Sequence, residues 1–219
     1  SFKTNKTKKN YNGSNNGKKP FDTLGLYIPE ILNEQLYTDP IIAKNIPEFG
    51  FPKISDNPKA QLYLRNAMIE LYNFNQVEAC NNFLNAAIHD NTCAFAYWGA
   101  SYCIQLNINH IIISSSLLSF SISSLKKAIE LSKNPDTSEM IYDLIDALKY
   151  RIIIKGNSID SEANTKPTYK QIEKMMKEYH KRMEKLYNKY QDPNIHVLYV
   201  SSILTIKPWR WWPKGSIYD

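Results

Sequence analysis

From Lys59 onward, apolar residues recur along the chain with a helical period. Leu62, Ala67, Ile69 and Leu71, with Tyr63 and Tyr72, cover one wide face. A polar break follows at 73–75, and Val77, Cys80, Phe83, Leu84, Ala87 and Ile88 then resume the same spacing. Two segments of about 14 residues joined by a tight polar turn predict an antiparallel helical hairpin. Thr92 reads as the N-cap of a third helix over 93–105. Leu118, Ile122, Leu125 and Ile129 share a face over 117–131. Asp136 and Glu139 read as a capping-box pair ahead of a helix over 140–154, where Ile141, Leu144, Ile145 and Leu148 repeat.

Residues 169–190 carry the clearest amphipathic pattern. Ile172, Met175, Met176, Tyr179, Met183, Leu186, Tyr187 and Tyr190 form one stripe. Lys and Glu fill the other side, with Glu173 to Lys177 and Glu178 to Arg182 in the favourable order for i,i+4 ion pairs. A last helix starting at Asp192 or Asn194 runs through Val197, Leu198, Val200, Ile203 and Leu204 and stops at Pro208. The expectation is an all-α chain with about seven main helices and no strand. Only 7 glycines and 11 prolines argue against a β-sandwich, which needs frequent turns.

Upstream the pattern is different. Pro29, Pro40, Pro47, Pro52 and Pro58 punctuate 21–58, which reads as an extended strap with room for one modest helix near 30–37. Residues 1–20 carry six lysines, no acid and many Asn and Gly, and read as a disordered basic tail. That tail accounts for the whole net charge of +6, since the remainder holds 21 basic and 21 acidic residues. A neutral folded part argues against a nucleic-acid-binding face. The helical domain is placed at 59–212, and 213–219 reads as a truncated C-terminal extension of a fragment that also lacks an initiator Met.

Little chemistry is visible. Cys80, Cys93 and Cys103 form no CxxC pair, and His89, His110, His180 and His196 are scattered. No metal site or cofactor is expected. Phosphate-binding glycine loops and zinc-protease or nucleophile-elbow motifs are absent from the sequence, so no catalytic residue is assigned. Cys93 with His89 is the one nucleophile–base pairing available, and ordinary packing at helix ends accounts for both. The uncharged run 103–125 is too rich in Ser, Asn and Gln for a membrane span. An odd, low cysteine count suits a reducing, cytoplasmic setting.

The hairpin at 60–93 resembles the tetratricopeptide repeat, with Ala67, Ala79, Phe83 and Ala86 at that repeat's small, small, aromatic and small positions. A longer stretch, from Ala60-Gln61 through Asn73-Phe74-Asn75, Glu78-Ala79, Phe83 and Ala86 to 90–100 (DNTCAFAYWGA), resembles a widespread, mostly bacterial family of tetratricopeptide-repeat proteins. Asn107-Ile108-Asn109, Tyr179, Tyr187, Tyr190, Pro193 and Pro208-Trp209 continue the likeness over about 50–212. Asn91 stands for that family's Pro, Phe95 for its Met, and Gln105-Leu106 for a Gly-Pro.

The resemblance implies a superhelical array of helix hairpins whose first helices line a concave groove. Gln61, Leu64, Arg65, Met68 and Tyr72 from one hairpin, and Phe95, Trp98, Tyr102 and Gln105 from the next, take the groove positions. Leu64 and Met68 stand where the best-known peptide-binding members put a carboxylate-gripping Lys and Asn, so that clamp is not expected. Two readings of the aromatics remain: anchors for a partner's peptide or helix, or core packing against neighbouring helices and the strap. Trp209, Trp211 and Trp212 read either as a partner patch or as cover for helices further on. The lysine face of 169–190 reads either as an anion-binding surface or as a solvated helix face. The expected function is a non-catalytic protein-interaction scaffold. The alternative is the helical half of a larger enzyme whose catalytic residues lie beyond residue 219.

Overall fold

The computed structural model describes residues 21–33, 36, 53–108, 114–152 and 168–206. All regular structure among them is helical. Eight α-helices run in chain order as α1 (Glu30–Asn33), α2 (Pro58–Tyr72), α3 (Gln76–His89), α4 (Ala94–Ile104), α5 (Ser115–Leu131), α6 (Glu139–Leu148), α7 (Tyr169–Lys189) and α8 (Pro193–Ile206). Short 3-10 turns occupy Asp22–Leu24 and Lys149–Arg151. The basic tail, residues 34–35 and 37–52 of the strap, the loop before α7, His110 and the three C-terminal tryptophans lie outside the described residues.

The helix ends follow from local chemistry, with some corrections to the sequence reading. Asn57 caps α2 by accepting from the Lys59 and Ala60 amides, and Pro58 fills the first turn, where its missing N–H costs nothing. Thr92 does not cap α4. Its hydroxyl instead donates to Asp90 Oδ1 at 2.7 Å, and Cys93 takes the cap position without a side-chain bond. The cap of α6 is Ser138 rather than the Asp136 and Glu139 pair, its hydroxyl accepting from the Ile141 amide. This helix stops at Leu148, short of 154, and tightens into the 3-10 turn that carries Arg151. Thr168 and Gln171 form a reciprocal capping box at the start of α7. Asp192 starts α8, as one of the two expected residues, by accepting from the amides of Asn194 and Ile195.

Consecutive helices pack on one another from α2 to α5 and from α6 to α8, and α6 also touches α4 and α5. Small residues let them approach. Ala67, Ala79 and Ala86 are fully buried, and Gly99 presents bare backbone to the Phe83 ring. Phe83 meets Phe95 edge-on at 5.9 Å, Phe95 stacks on Trp98 at 4.8 Å, and Trp98 leans on Tyr102 at 5.1 Å.

Polar residues inside this core are mostly paired. Asn66 Nδ2 donates to Asn82 Oδ1 at 2.9 Å between α2 and α3. Ser101 and Ser121 exchange hydroxyl-to-carbonyl bonds of 2.8 and 3.1 Å between α4 and α5. Of the serine-rich stretch, Ser121 thus serves interhelical packing while Ser114, Ser115 and Ser119 are exposed, and no described helix is long and apolar enough to cross a membrane.

The described parts of the strap hold to the helices. Phe21, Leu24, Leu32 and Leu36 are buried in the common core, and the first 3-10 turn packs on α3. Nearer α2, Ser55 Oγ donates to Asp90 Oδ2 and Asn57 Nδ2 to the His89 carbonyl, joining the start of α2 to the end of α3.

On α7, Glu173 pairs with Lys177 at 2.7 Å as expected. Glu178 instead pairs with Lys181, and Arg182 is drawn over the Tyr150 ring at 4.1 Å. Lys189 reaches Glu139 and Asp143 of α6, both at 2.7 Å, and Tyr190 donates to Asp143 as well.

Candidate functional site

The residues expected to line a concave groove fall into two groups. Leu64, Met68, Phe95, Trp98, Tyr102 and Gln105 are buried, and Gln61, Arg65 and Tyr72 are half-buried. Phe95 and Trp98 belong to the aromatic cluster around Phe83. Gln61 uses its Oε1 to accept from the Ile54 and Ser55 amides, at 3.0 and 3.1 Å, and so fastens the strap. Packing and strap-fastening thus account for much of this set.

Tyr72 and Tyr102 are brought together elsewhere, in the wall of an apolar cleft of about 370 Å³. One side of the cleft is the α2–α3 turn, with Leu71, Tyr72, Phe74 and Gln76. The opposite side is α8, with His196, Val197, Leu198, Val200, Ser201 and Leu204. Tyr102, Asn107, Ile108 and Arg151 complete the lining. The two sides are tied by Tyr72, whose hydroxyl donates to Asn194 Oδ1 at 2.7 Å. Burial pushes the Tyr72 phenol well above the usual tyrosine range, so it stays a neutral donor.

Two features of the lining run against what folding alone favours. Phe74 has a left-handed backbone (φ 58°) and a side chain 51% exposed. A bulky residue there is strained, and Gly or Asn would be the ordinary choice. On the facing helix, Val200 is 52% exposed, and Val197 and Ile203 are exposed with it, making an apolar stripe on the outer side of α8.

Arg151 is the third unusual member. It is only 3% exposed, yet no carboxylate among the described residues pairs with it. Its Nη2 donates to the Leu106 carbonyl, and its guanidinium lies 4.1 Å from the Tyr102 ring centre and 5.2 Å from that of Tyr179. Burial opposes the charge, the two tyrosines favour it, and the net shift is upward, so the group stays a cation. Its Nε and Nη1 have no acceptor. His196 is similar in part, with a buried Nε2 that finds no partner while its ring leans on Tyr187 at 4.6 Å.

The residue pattern alone assigns no site role to Arg151 or Phe74. A signal for the first was present: a single cation set into the run Tyr150-Arg151-Ile152-Ile153-Ile154, where solvent exposure is not expected. For Phe74 the signal was an aromatic between two asparagines in a tight turn.

The remaining candidate chemistry is quiet. Burial raises the Cys93 thiol to about 11, and it raises Cys80 and Cys103 further, so none is a ready thiolate at neutral pH. His180 Nδ1 lies 2.9 Å from Ser202 Oγ, but that hydroxyl donates to the Tyr199 carbonyl at 2.6 Å. It is held as a structural hydroxyl rather than primed by the imidazole. No cluster of potential metal ligands occurs among the described residues. No family model, curated protein or solved structure matches the chain.

Proposed function

We propose that this chain is a non-catalytic binding scaffold of the tetratricopeptide-like kind. It holds a peptide or helical segment of a protein partner in the apolar cleft between the α2–α3 turn and α8. The observation that carries the reading is the exposed apolar lining itself. Val197, Val200 and Phe74 face solvent around a preformed hollow, and Phe74 does so on a backbone that disfavours it. Strain and exposed apolar surface that do not serve folding point to a ligand.

The array reading is supported by the consecutive packing of α2 to α5 and by small residues at the helix crossings. Tyr72 and Tyr102 are the two expected groove residues that the reading keeps as partner-binding. The three free cysteines fit a cytoplasmic setting, which forms part of the proposal.

The test is binding of immobilised apolar helical peptides to the parent chain and to Val200→Asp. Val200 is on the surface, so helicity by circular dichroism stays unchanged. Peptide binding that disappears in the variant supports the cleft. Peptides held equally by both proteins rule it out.

A further inference from the structure

The composition of α8 is that of a covered helix, yet its outer face is open. Two of the eight described α-helices carry no Asp, Glu, Lys or Arg, namely α4 and α8. For α4 the reason is plain, since every residue from Ala94 to Cys103 is buried. Charge is kept out of covered positions because a desolvated ion without a partner is costly. α8 buries Asn194, Ile195, Leu198, Ser202 and Thr205, but Val197, Val200 and Ile203 stand exposed along its other side. A helix face that meets water ordinarily carries charge, as the Lys and Glu side of α7 does. Apart from the half-buried His196 ring, α8 has no acidic or basic side chain, so its complement is an apolar surface that brings no unpaired ion.

Resting on the cleft reading above, we infer that the partner is a second copy of this chain, whose α8 is the helical segment laid along the cleft. A second copy supplies the surface required, an uncharged helix with apolar residues at every third position. The three side chains also suit a two-fold pairing, in which each copy presents the same patch. Val200 lies midway between Val197 and Ile203. In an antiparallel pair the two Val200 side chains therefore meet on the axis, and Val197 of each copy faces Ile203 of the other. Phe74, on the opposite wall of the cleft, widens the apolar contact at its edge. No like charges are brought together along this line.

The size of the face sets the strength of the pair. A helix of 14 residues is about 21 Å long and about 10 Å across, so the strip with Phe74 covers roughly a few hundred Å² per copy. A standard interface takes about 800 Å² per partner. The pair is accordingly weak, with half-association on the order of 0.1 mM.

Sedimentation equilibrium of the full chain over about 0.01 to 1 mM brackets this value. The parent is expected to pass from monomer to dimer within that range. Val200→Asp sets two carboxylates against each other on the axis and is expected to weaken association about tenfold or more, with helicity unchanged. Val200→Cys, oxidised with diamide, is expected to form a disulfide-linked dimer faster than Ser119→Cys, an exposed position on α5. The native cysteines are buried and leave this comparison clean.

The parent's own concentration dependence and the Val200→Cys rate need no charged substitution, so a misfolded Val200→Asp does not blunt the test. A parent monomeric throughout the range overturns the second copy. If that monomer binds apolar helical peptides and Val200→Asp does not, the cleft stands with a foreign segment as its occupant. If it binds none, the cleft reading falls as well. A dimer equally strong in Val200→Asp, or linkage at 200 no faster than at 119, puts the contact on another face and overturns the inference.

Discussion

Replacing Gly99 by alanine adds one methyl group where α4 meets the Phe83 ring of α3. A Cβ built at this position overlaps Phe83 Cδ1, Cε1 and Cζ more closely than real side chains pack. The ring cannot swing aside cheaply, because it is fully buried and held edge-on by Phe95 at 5.9 Å and Trp98 at 6.4 Å. Overpacking of this kind costs about 1–3 kcal/mol, and the rigid surroundings argue for the upper part of that range. Alanine offsets roughly 1 kcal/mol of it through its better helix propensity. The expected net loss is therefore about 1–2 kcal/mol, read from urea or guanidinium denaturation of the purified chain. Phe83→Leu introduced beside Gly99→Ala recovers part of the loss, and the two changes couple non-additively in a double-mutant cycle. A Gly99→Ala protein as stable as the parent, or more stable, would show that α3 and α4 do not meet at this glycine and would sink the packing argument.

Trp98→Ala removes a side chain 1% exposed and is expected to cost about 3–5 kcal/mol in the same denaturation assay. A loss below about 1 kcal/mol would place Trp98 at the surface after all. Phe74→Gly relieves a left-handed backbone and is expected to raise stability by about 0.5–1 kcal/mol. The same change should weaken peptide binding, so a stabilised variant with undiminished binding would dissociate the strained turn from the site. His89 stacks on Tyr63 at 5.5 Å, and burial, helped by Lys59, lowers its pKa below the ordinary 6.5. The unfolded chain then takes up the proton first, so stability falls as pH drops below about 6.5 and levels off once the folded-state pKa is passed. His89→Gln should shrink that fall between about pH 7 and 5, and an unaltered pH profile would refute the assignment.

Much of the fold was legible in the chain because helices announce themselves locally. The period of Ala67 and Leu71, or of Met176, Tyr179 and Met183, is written in neighbouring residues, and burial of those stripes follows from transfer of apolar surface out of water, although Leu62, read on the same face, stays 40% exposed. Punctuation was less secure. Thr92 and Asp136 were plausible caps by type, yet Cys93 and Ser138 hold those positions, because the direction in which the chain enters a helix decides which side chain can reach the free amides.

The candidate site was the part that local pattern could not supply. The tetratricopeptide resemblance put Phe95 and Trp98 at groove positions. It could not tell a groove from a core, since the same residues serve either according to what packs over them. The cleft exists because α8 comes back beside the α2–α3 turn, with Tyr72 bonded to Asn194 across 122 positions of sequence. Arg151 likewise becomes unusual only when Tyr102 and Tyr179 close on it from two other helices. Helical period, charge balance and the absence of catalytic motifs were fixed by residue order alone. Which apolar faces stay open, and which charge goes unpaired, was decided by contacts between distant segments, because burial and pairing are properties of neighbours in space.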